Sequence, residues 1–180
     1  TYPQRYFIND AFHEKGGPMF FYLGNEADVT LYVNATGLMW EHAAEFGALI
    51  CFAEHRYYGK SQLFPDDPVS HLQYLSVEQA LMDYVTLIDH VKREYEFKDD
   101  NAVIGFGGSY GGMLASWARF QYPHVWDGVI AGSAPIVTFE FEHMGQFFDP
   151  DFYAQGMTYD VTPAAGASEF CEANLRKALS

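Results

Sequence analysis

Gly107-Gly108-Ser109-Tyr110-Gly111-Gly112 lies where an apolar run stops and a helical pattern starts. Ala102 to Phe106 reads as a buried strand, and Met113 to Phe120 reads as the helix after it. In a G-x-S-x-G turn between strand and helix the chain reverses so sharply that small residues must flank the serine, whose hydroxyl is left exposed at the edge of the sheet. The five-residue pattern alone arises often by chance, so its flanks carry the argument. They predict a nucleophile elbow; the bland reading is a glycine-rich turn without chemistry.

The rest of the chain has the alternation that such an elbow needs. Gln4 to Asn9 and Pro18 to Leu23 are strand candidates, the second ended by Gly24. Helical periodicity over Leu38 to Phe46 precedes a strand over Ala48 to Ala53, and a Gly/Pro/Asp-rich loop spans Gly59 to Pro68. Ser76 can cap a long helix with Gln79 three residues on, because Val77, Ala80, Leu81, Tyr84, Val85, Ile88 and Val91 recur at steps of three and four. Gly128 to Ala131 reads as a further strand after the break at Pro123. Strands alternating with helices predict a doubly wound α/β core with a mostly parallel sheet, over residues 1–136. From about Val137 an aromatic and acidic stretch breaks the pattern, so 137–180 is read as the start of a helical insertion or cap, with Ser168 to Leu179 helical.

Composition excludes several classes of function. Lys plus Arg number 10 against 24 Asp plus Glu, a formal net charge of −14, which disfavours nucleic acid and suits solubility in acid. No apolar run approaches the roughly 20 residues that span a bilayer. Thr1 opens no signal-peptide pattern, which fits a processed or truncated N-terminus. The two cysteines, Cys51 and Cys171, form no CxxC or metal-spaced cluster, so neither zinc nor dithiol redox chemistry is expected. Cys51 falls within an apolar run, and Cys171, in a polar segment, is the better disulfide former. Asn34-Ala35-Thr36 is a glycosylation sequon with meaning only in a secretory protein; otherwise it is an ordinary loop triplet.

A serine hydroxyl needs a base to take its proton and donors to hold the oxyanion that forms. The backbone N–H of Tyr110 is the first donor expected, at the start of a helix. The loop Gly24-Asn25-Glu26-Ala27 after an earlier strand is the expected source of the second, near Asn25, and Glu26 there could attract a substrate amine or brace its own loop. Glu54-His55-Arg56-Tyr57-Tyr58-Gly59-Lys60-Ser61 opens on the same edge; substrate contact through Tyr57 competes with a Glu/Arg/Tyr network that holds a turn. His55 is rejected as the base, because in this fold the acid and histidine follow the serine in chain order. Downstream, His124, His143, Asp127, Asp149, Asp151 and Asp160 are available, and none is well placed, so the triad is expected to be incomplete within these residues.

Four blocks in order, Gly24-Asn25-Glu26, Phe52 to Gly59, Ser76 to Leu81 and Gly107 to Leu114, resemble the prolylcarboxypeptidase and dipeptidyl peptidase II family of serine peptidases. The similarity runs from about Tyr2 to about Pro135. It implies an α/β-hydrolase fold and a secreted, lysosomal or vacuolar exopeptidase cutting next to proline through an acyl-enzyme on Ser109. It also implies that the catalytic Asp and His follow a cap beyond residue 180, that this chain is a fragment inactive alone, and that Cys171 pairs downstream. One departure is Ala27, where that family usually has glycine. The chemistry calls for no metal or cofactor, and the expected partners are peptides with proline near a terminus, with homodimerisation open. An esterase or lipase of the same fold, and a noncatalytic binding protein on it, are the rival readings.

Overall fold

Phe20 and Tyr22 face one side of the sheet and Phe21 and Leu23 the other, so β2 (Met19–Leu23) is buried at all of its positions; β3 (Leu49–Ala53) is likewise buried throughout. Such continuous apolar runs belong to central strands covered on both faces. The computed structural model describes residues 1–136 and 151–179. Their contacts separate into two units, Thr1–Pro135 and Ile136–Ser180.

The first unit has the strand order β1-β3-β2-β4-β5, with β1 at Tyr6–Asn9, β4 at Val103–Gly108 and β5 at Gly128–Gly132. Pairings β2–β3, β2–β4 and β4–β5 are parallel, and β1 runs antiparallel to β3. The chain therefore moves outward from β2 to β3, then crosses back to place β4 on the other side of β2. That reversal brings the loops after β2 and β4 together at the carboxyl edge, where open α/β sheets bind ligands.

Helices cover both faces. On one, α1 (Val29–Ala35) and α2 (Leu38–Phe46) contribute Val29, Met39 and Ala43 to a core with Phe20, Tyr22, Ile50, Phe52 and Phe106. On the other, α3 (Val77–Glu94) and α4 (Tyr110–Gln121) pack Leu81, Tyr84, Ile88 and Leu114 against Phe21, Leu23, Cys51 and Trp126. Burial drives the Cys51 thiol pKa well upward, which leaves it an inert small hydrophobe.

Several boundaries differ from expectation. α1 falls in a stretch to which the sequence assigns no element; Asp28 caps it, its carboxylate accepting from the Thr30 N–H at 2.9 Å. β4 runs through both glycines of the elbow to Gly108, because Gly107 and Gly108 pair with Ala131 and Gly132. A 3₁₀ turn at Val69–Tyr74 follows the Gly/Pro/Asp loop. In the second unit α5 (Phe152–Asp160) and α6 (Cys171–Leu179) bury no residue. No helix among the described residues is long and apolar enough to cross a membrane.

Candidate active site

Ser109 stands exposed between β4 and α4 with φ 54 and ψ −124. A residue with a Cβ holds such a conformation only where its surroundings impose it, at about 1–3 kcal/mol. Three contacts do so. The Ser109 N–H donates to the Gly132 carbonyl at 2.9 Å, and the Ser109 carbonyl accepts from the Met113 N–H at 3.0 Å. Gly107 lets the first turn of α4 fold back, since a Cβ there would lie 2.1 Å from the Gly111 carbonyl oxygen.

Tyr110 is the first residue of α4, so its N–H is among those without an acceptor inside the helix. The loop after β2 approaches this turn. Gly24 is pinned from two directions: its N–H donates to Ala53 O at 3.1 Å, and its carbonyl accepts from the Tyr84 hydroxyl at 2.6 Å. Asn25 is 6% exposed, and its side-chain oxygen is buried without a partner. That oxygen lies against the elbow helix, 3.1 Å from where a Cβ on Gly111 would be. An orphaned acceptor at this depth is uncommon in a folded protein. Glu26 is exposed, and its negative charge is one of the influences that raise the pKa values of Tyr22, Tyr32 and Tyr110. The main influence is burial, which together with Tyr58, Glu26 and Glu78 pushes Tyr110 up to about 12.

The loop after β3 is chiefly a brace. Glu54, fully buried, accepts from Val29 N–H at 3.1 Å, Lys60 N–H at 2.9 Å and Ser61 Oγ at 2.8 Å, and Arg5 lies 3.7 Å away. Arg56 donates to both Asp83 oxygens, at 2.7 and 2.8 Å, to the Tyr74 carbonyl at 2.7 Å and to the Gln79 side chain. Tyr57 has φ 69, and its hydroxyl donates to His71 O at 2.5 Å, so that polar group is spent on the loop. The turn-holding network weighed against substrate contact is thus present in detail. Tyr84, seen in the sequence only as one more residue of an apolar stripe, anchors the Gly24 loop; nothing in the periodicity marks its hydroxyl.

His55, in the loop after β3, is 1% exposed, and its ring reaches the elbow residue Tyr110. Its Nδ1 is 2.7 Å from the Arg56 carbonyl, and its Nε2 is 3.1 Å from the Tyr110 hydroxyl. Both ring nitrogens are therefore occupied, in keeping with its rejection as a base. Burial lowers the His55 pKa; the Arg56 carbonyl opposes this, the Arg56 charge reinforces it, and Asp83 and Glu26 oppose it. With the folded value below the unfolded one of about 6.5, the stability tied to neutral His55 is complete above that pH and lost as pH falls through the folded pKa. We expect urea midpoints of His55→Gln to fall less between pH 7.5 and pH 5 than those of the parent. A steeper fall in the variant would contradict the assignment.

The other histidine and carboxylates lie elsewhere or outside view. His124 follows α4 and packs edge-on to Tyr122, and Asp127 accepts from Val103 N–H at 2.8 Å, at the amino edge of the sheet. His143 and Asp149 fall outside the described residues. Asp151 and Asp160 belong to the second unit. Asn34 is exposed in the last turn of α1, not in a loop.

Comparison with known proteins agrees with this architecture. The chain is 18% identical to Est1E from Butyrivibrio proteoclasticus, solved with ferulic acid bound, at a TM-score of 0.53 over 82% of this chain and 57% of that one. It is 16% identical to a thermostable carboxyl esterase from Bacillus coagulans, at a TM-score of 0.51 over 87% and 52% of the two chains. These likenesses show the α/β-hydrolase fold. In sequence it is 49% identical over 144 residues to human lysosomal Pro-X carboxypeptidase, covering 78% of this chain and 29% of the relative. It is 48% identical over 139 residues to prolyl carboxy peptidase like protein 5 of Caenorhabditis elegans, covering 75% and 27%. The chain thus spans under a third of the length of these relatives. The sequence model for serine carboxypeptidase S28 matches residues 1–161, and with these identities it establishes that the chain belongs to the S28 family of serine carboxypeptidases.

Proposed function

We propose that this chain carries the nucleophile half of a serine exopeptidase site that cuts peptides next to proline. The observation that carries the reading is Ser109 itself: an exposed serine in a strained conformation at the start of a helix, beside the point where the strand order reverses. Ser109 Oγ gives its proton to a base and attacks the peptide carbonyl. The oxyanion rests on the Tyr110 N–H and a donor near Asn25; the C–N bond breaks, and the amine leaves with the proton. Water then cleaves the acyl ester and restores the serine.

The base and its orienting acid come, in this proposal, from outside residues 1–180, as the resemblance implies. Residues 137–180 would begin a helical cap, as the resemblance implies; the aromatic stretch from Phe139 to Phe148 lies outside the described residues. Glu26 is left to contact substrate, since it is exposed, whereas Tyr57 contributes through its loop. Pro-X carboxypeptidase is the name of several relatives, which favours release of a residue following proline over release of a dipeptide. A secreted or lysosomal glycoprotein, modified at Asn34, is supported by the exposed sequon and by the lysosomal relatives. A homodimer is part of the same proposal.

The test is a substrate panel with the full-length protein. We expect release of the carboxy-terminal residue from peptides ending in Pro-Xaa, with simple esters turned over more slowly. Turnover of esters alone would point to an esterase, and no turnover with any substrate would point to a binding protein on the hydrolase fold.

A further inference from the structure

We propose that His55 is a positioning residue that ties the elbow residue Tyr110 and the loop carrying Asn25 to one aromatic cluster. The inference rests on the reading of Ser109 as nucleophile. The Arg56 carbonyl can only accept, so His55 Nδ1 at 2.7 Å must carry the ring proton. Nε2 is then the bare nitrogen, and the Tyr110 hydroxyl at 3.1 Å donates to it. The direction of each hydrogen bond is fixed by chemistry.

This matters because Tyr110 supplies the main-chain N–H next to the nucleophile. Its side chain is the lever on that peptide group: with the hydroxyl held across 55 residues of sequence, the first residue of α4 cannot rotate freely about its own backbone. The other end of the clamp is rigid as well. Arg56, whose carbonyl receives the His55 proton, is locked to α3 through Asp83 at 2.7 and 2.8 Å. The imidazole is enclosed by the rings of Tyr58, Tyr110 and Tyr84, with centroids 5.2, 5.5 and 6.4 Å away.

Tyr84 closes the arrangement. The ring that packs on His55 bears the hydroxyl that donates to Gly24 O at 2.6 Å. So the loop carrying Asn25 and the residue carrying the first donor are both referred to the same imidazole. Preorganised donors are worth most when they cannot relax away from the developing charge. His55 therefore acts on the reaction without touching the reacting atoms.

The test uses the full-length protein and the second-order rate of acylation by a fluorophosphonate, in the parent, Tyr110→Phe, His55→Gln, His55→Leu and the Tyr110→Phe/His55→Leu double variant. Losing one neutral hydrogen bond should slow Tyr110→Phe about tenfold. With a proline substrate, kcat should carry that loss while KM stays within about twofold, the sign of an interaction strengthened in the transition state. His55→Leu should be at least as slow, and His55→Gln, which keeps an acceptor, should recover most of the rate. The double variant should be no slower than His55→Leu alone, because the two changes remove one interaction. Parent-like acylation in Tyr110→Phe, no recovery by glutamine, or fully multiplying effects would each overturn the proposal. If the parent is not acylated at all, the nucleophile reading fails, and ¹⁵N spectra of the histidines judge the clamp by itself. A shift of the His55 Nε2 resonance on Tyr110→Phe supports it, and an unmoved resonance refutes it.

Discussion

Ser109→Gly is expected to lose peptidase activity by about 10⁴-fold or more while the folded unit becomes more stable, by about 1 kcal/mol. The two effects have separate causes. Without the hydroxyl no acyl-enzyme forms, whatever the remaining donors contribute to binding. The gain comes from the backbone: Ser109 sits at φ 54 and ψ −124, where an L residue stores about 1–3 kcal/mol of strain. Glycine adopts that conformation without penalty but gives back about 0.5–1 kcal/mol through the greater freedom of its unfolded chain. Ser109→Ala is the control, since alanine removes the nucleophile and keeps the Cβ. It should be equally inactive and no more stable than the parent. Turnover of a Pro-Xaa peptide by the full-length protein and its urea midpoints measure both quantities, and equal midpoints for the glycine and alanine variants would show that the elbow stores no strain.

Gly107→Ala should be among the most damaging single substitutions in the first unit, and Gly108→Ala one of the mildest. A methyl on Gly107 would stand 2.1 Å from the Gly111 carbonyl oxygen, 2.3 Å from its carbon and 2.9 Å from the Gly112 nitrogen. All three are backbone atoms of the first turn of α4, so the clash is relieved only by moving the helix off the strand. Overpacking of flexible surroundings costs about 1–3 kcal/mol, and here the upper end or more is expected because no side chain can yield. A methyl on Gly108 meets nothing within 4 Å, so that change should stay within about 0.5 kcal/mol of the parent. Thermal midpoints of the two variants, taken together, check the packing argument. Similar losses in both would mean that glycine is needed in the elbow for backbone freedom and not for the approach of helix to strand.

The contrast between these neighbours shows what sequence can and cannot convey. G-x-S-x-G marks Gly107 and Gly111 as the constrained positions, and the structure puts both against backbone. The long helix was equally legible. Its stripe from Val77 to Val91 is the buried face of α3, and the Ser76 hydroxyl accepts from Gln79 N–H at 3.4 Å. The other half of that capping pair was not legible, because the Gln79 side chain is taken by Arg56, 23 residues earlier. Tertiary contacts also decide α1. Its seven residues lack a clear apolar period, yet Val29 N–H is held by Glu54 and the Val33 carbonyl by the Trp40 indole. The antiparallel direction of β1 is set by pairing with β3, which no local pattern announces. Likewise, the sequence admits His55 as a base by residue type. Only its two occupied nitrogens show that it braces Tyr110 instead.

The central claim is that Ser109 is the nucleophile, and mapping of a covalent adduct tests it most directly. Trypsin cuts after Lys98 and Arg119, so a fluorophosphonate-treated sample of the full-length protein yields a peptide over residues 99–119 that holds both Ser109 and Ser116. Fragment ions separate the two. Ser116 is the internal control, its hydroxyl donating to Gly112 O at 3.0 Å within α4. The account predicts one phosphonyl group on Ser109 and none in the Ser109→Ala variant. An adduct on Ser116 or another residue, or equal labelling of parent and variant, would contradict it.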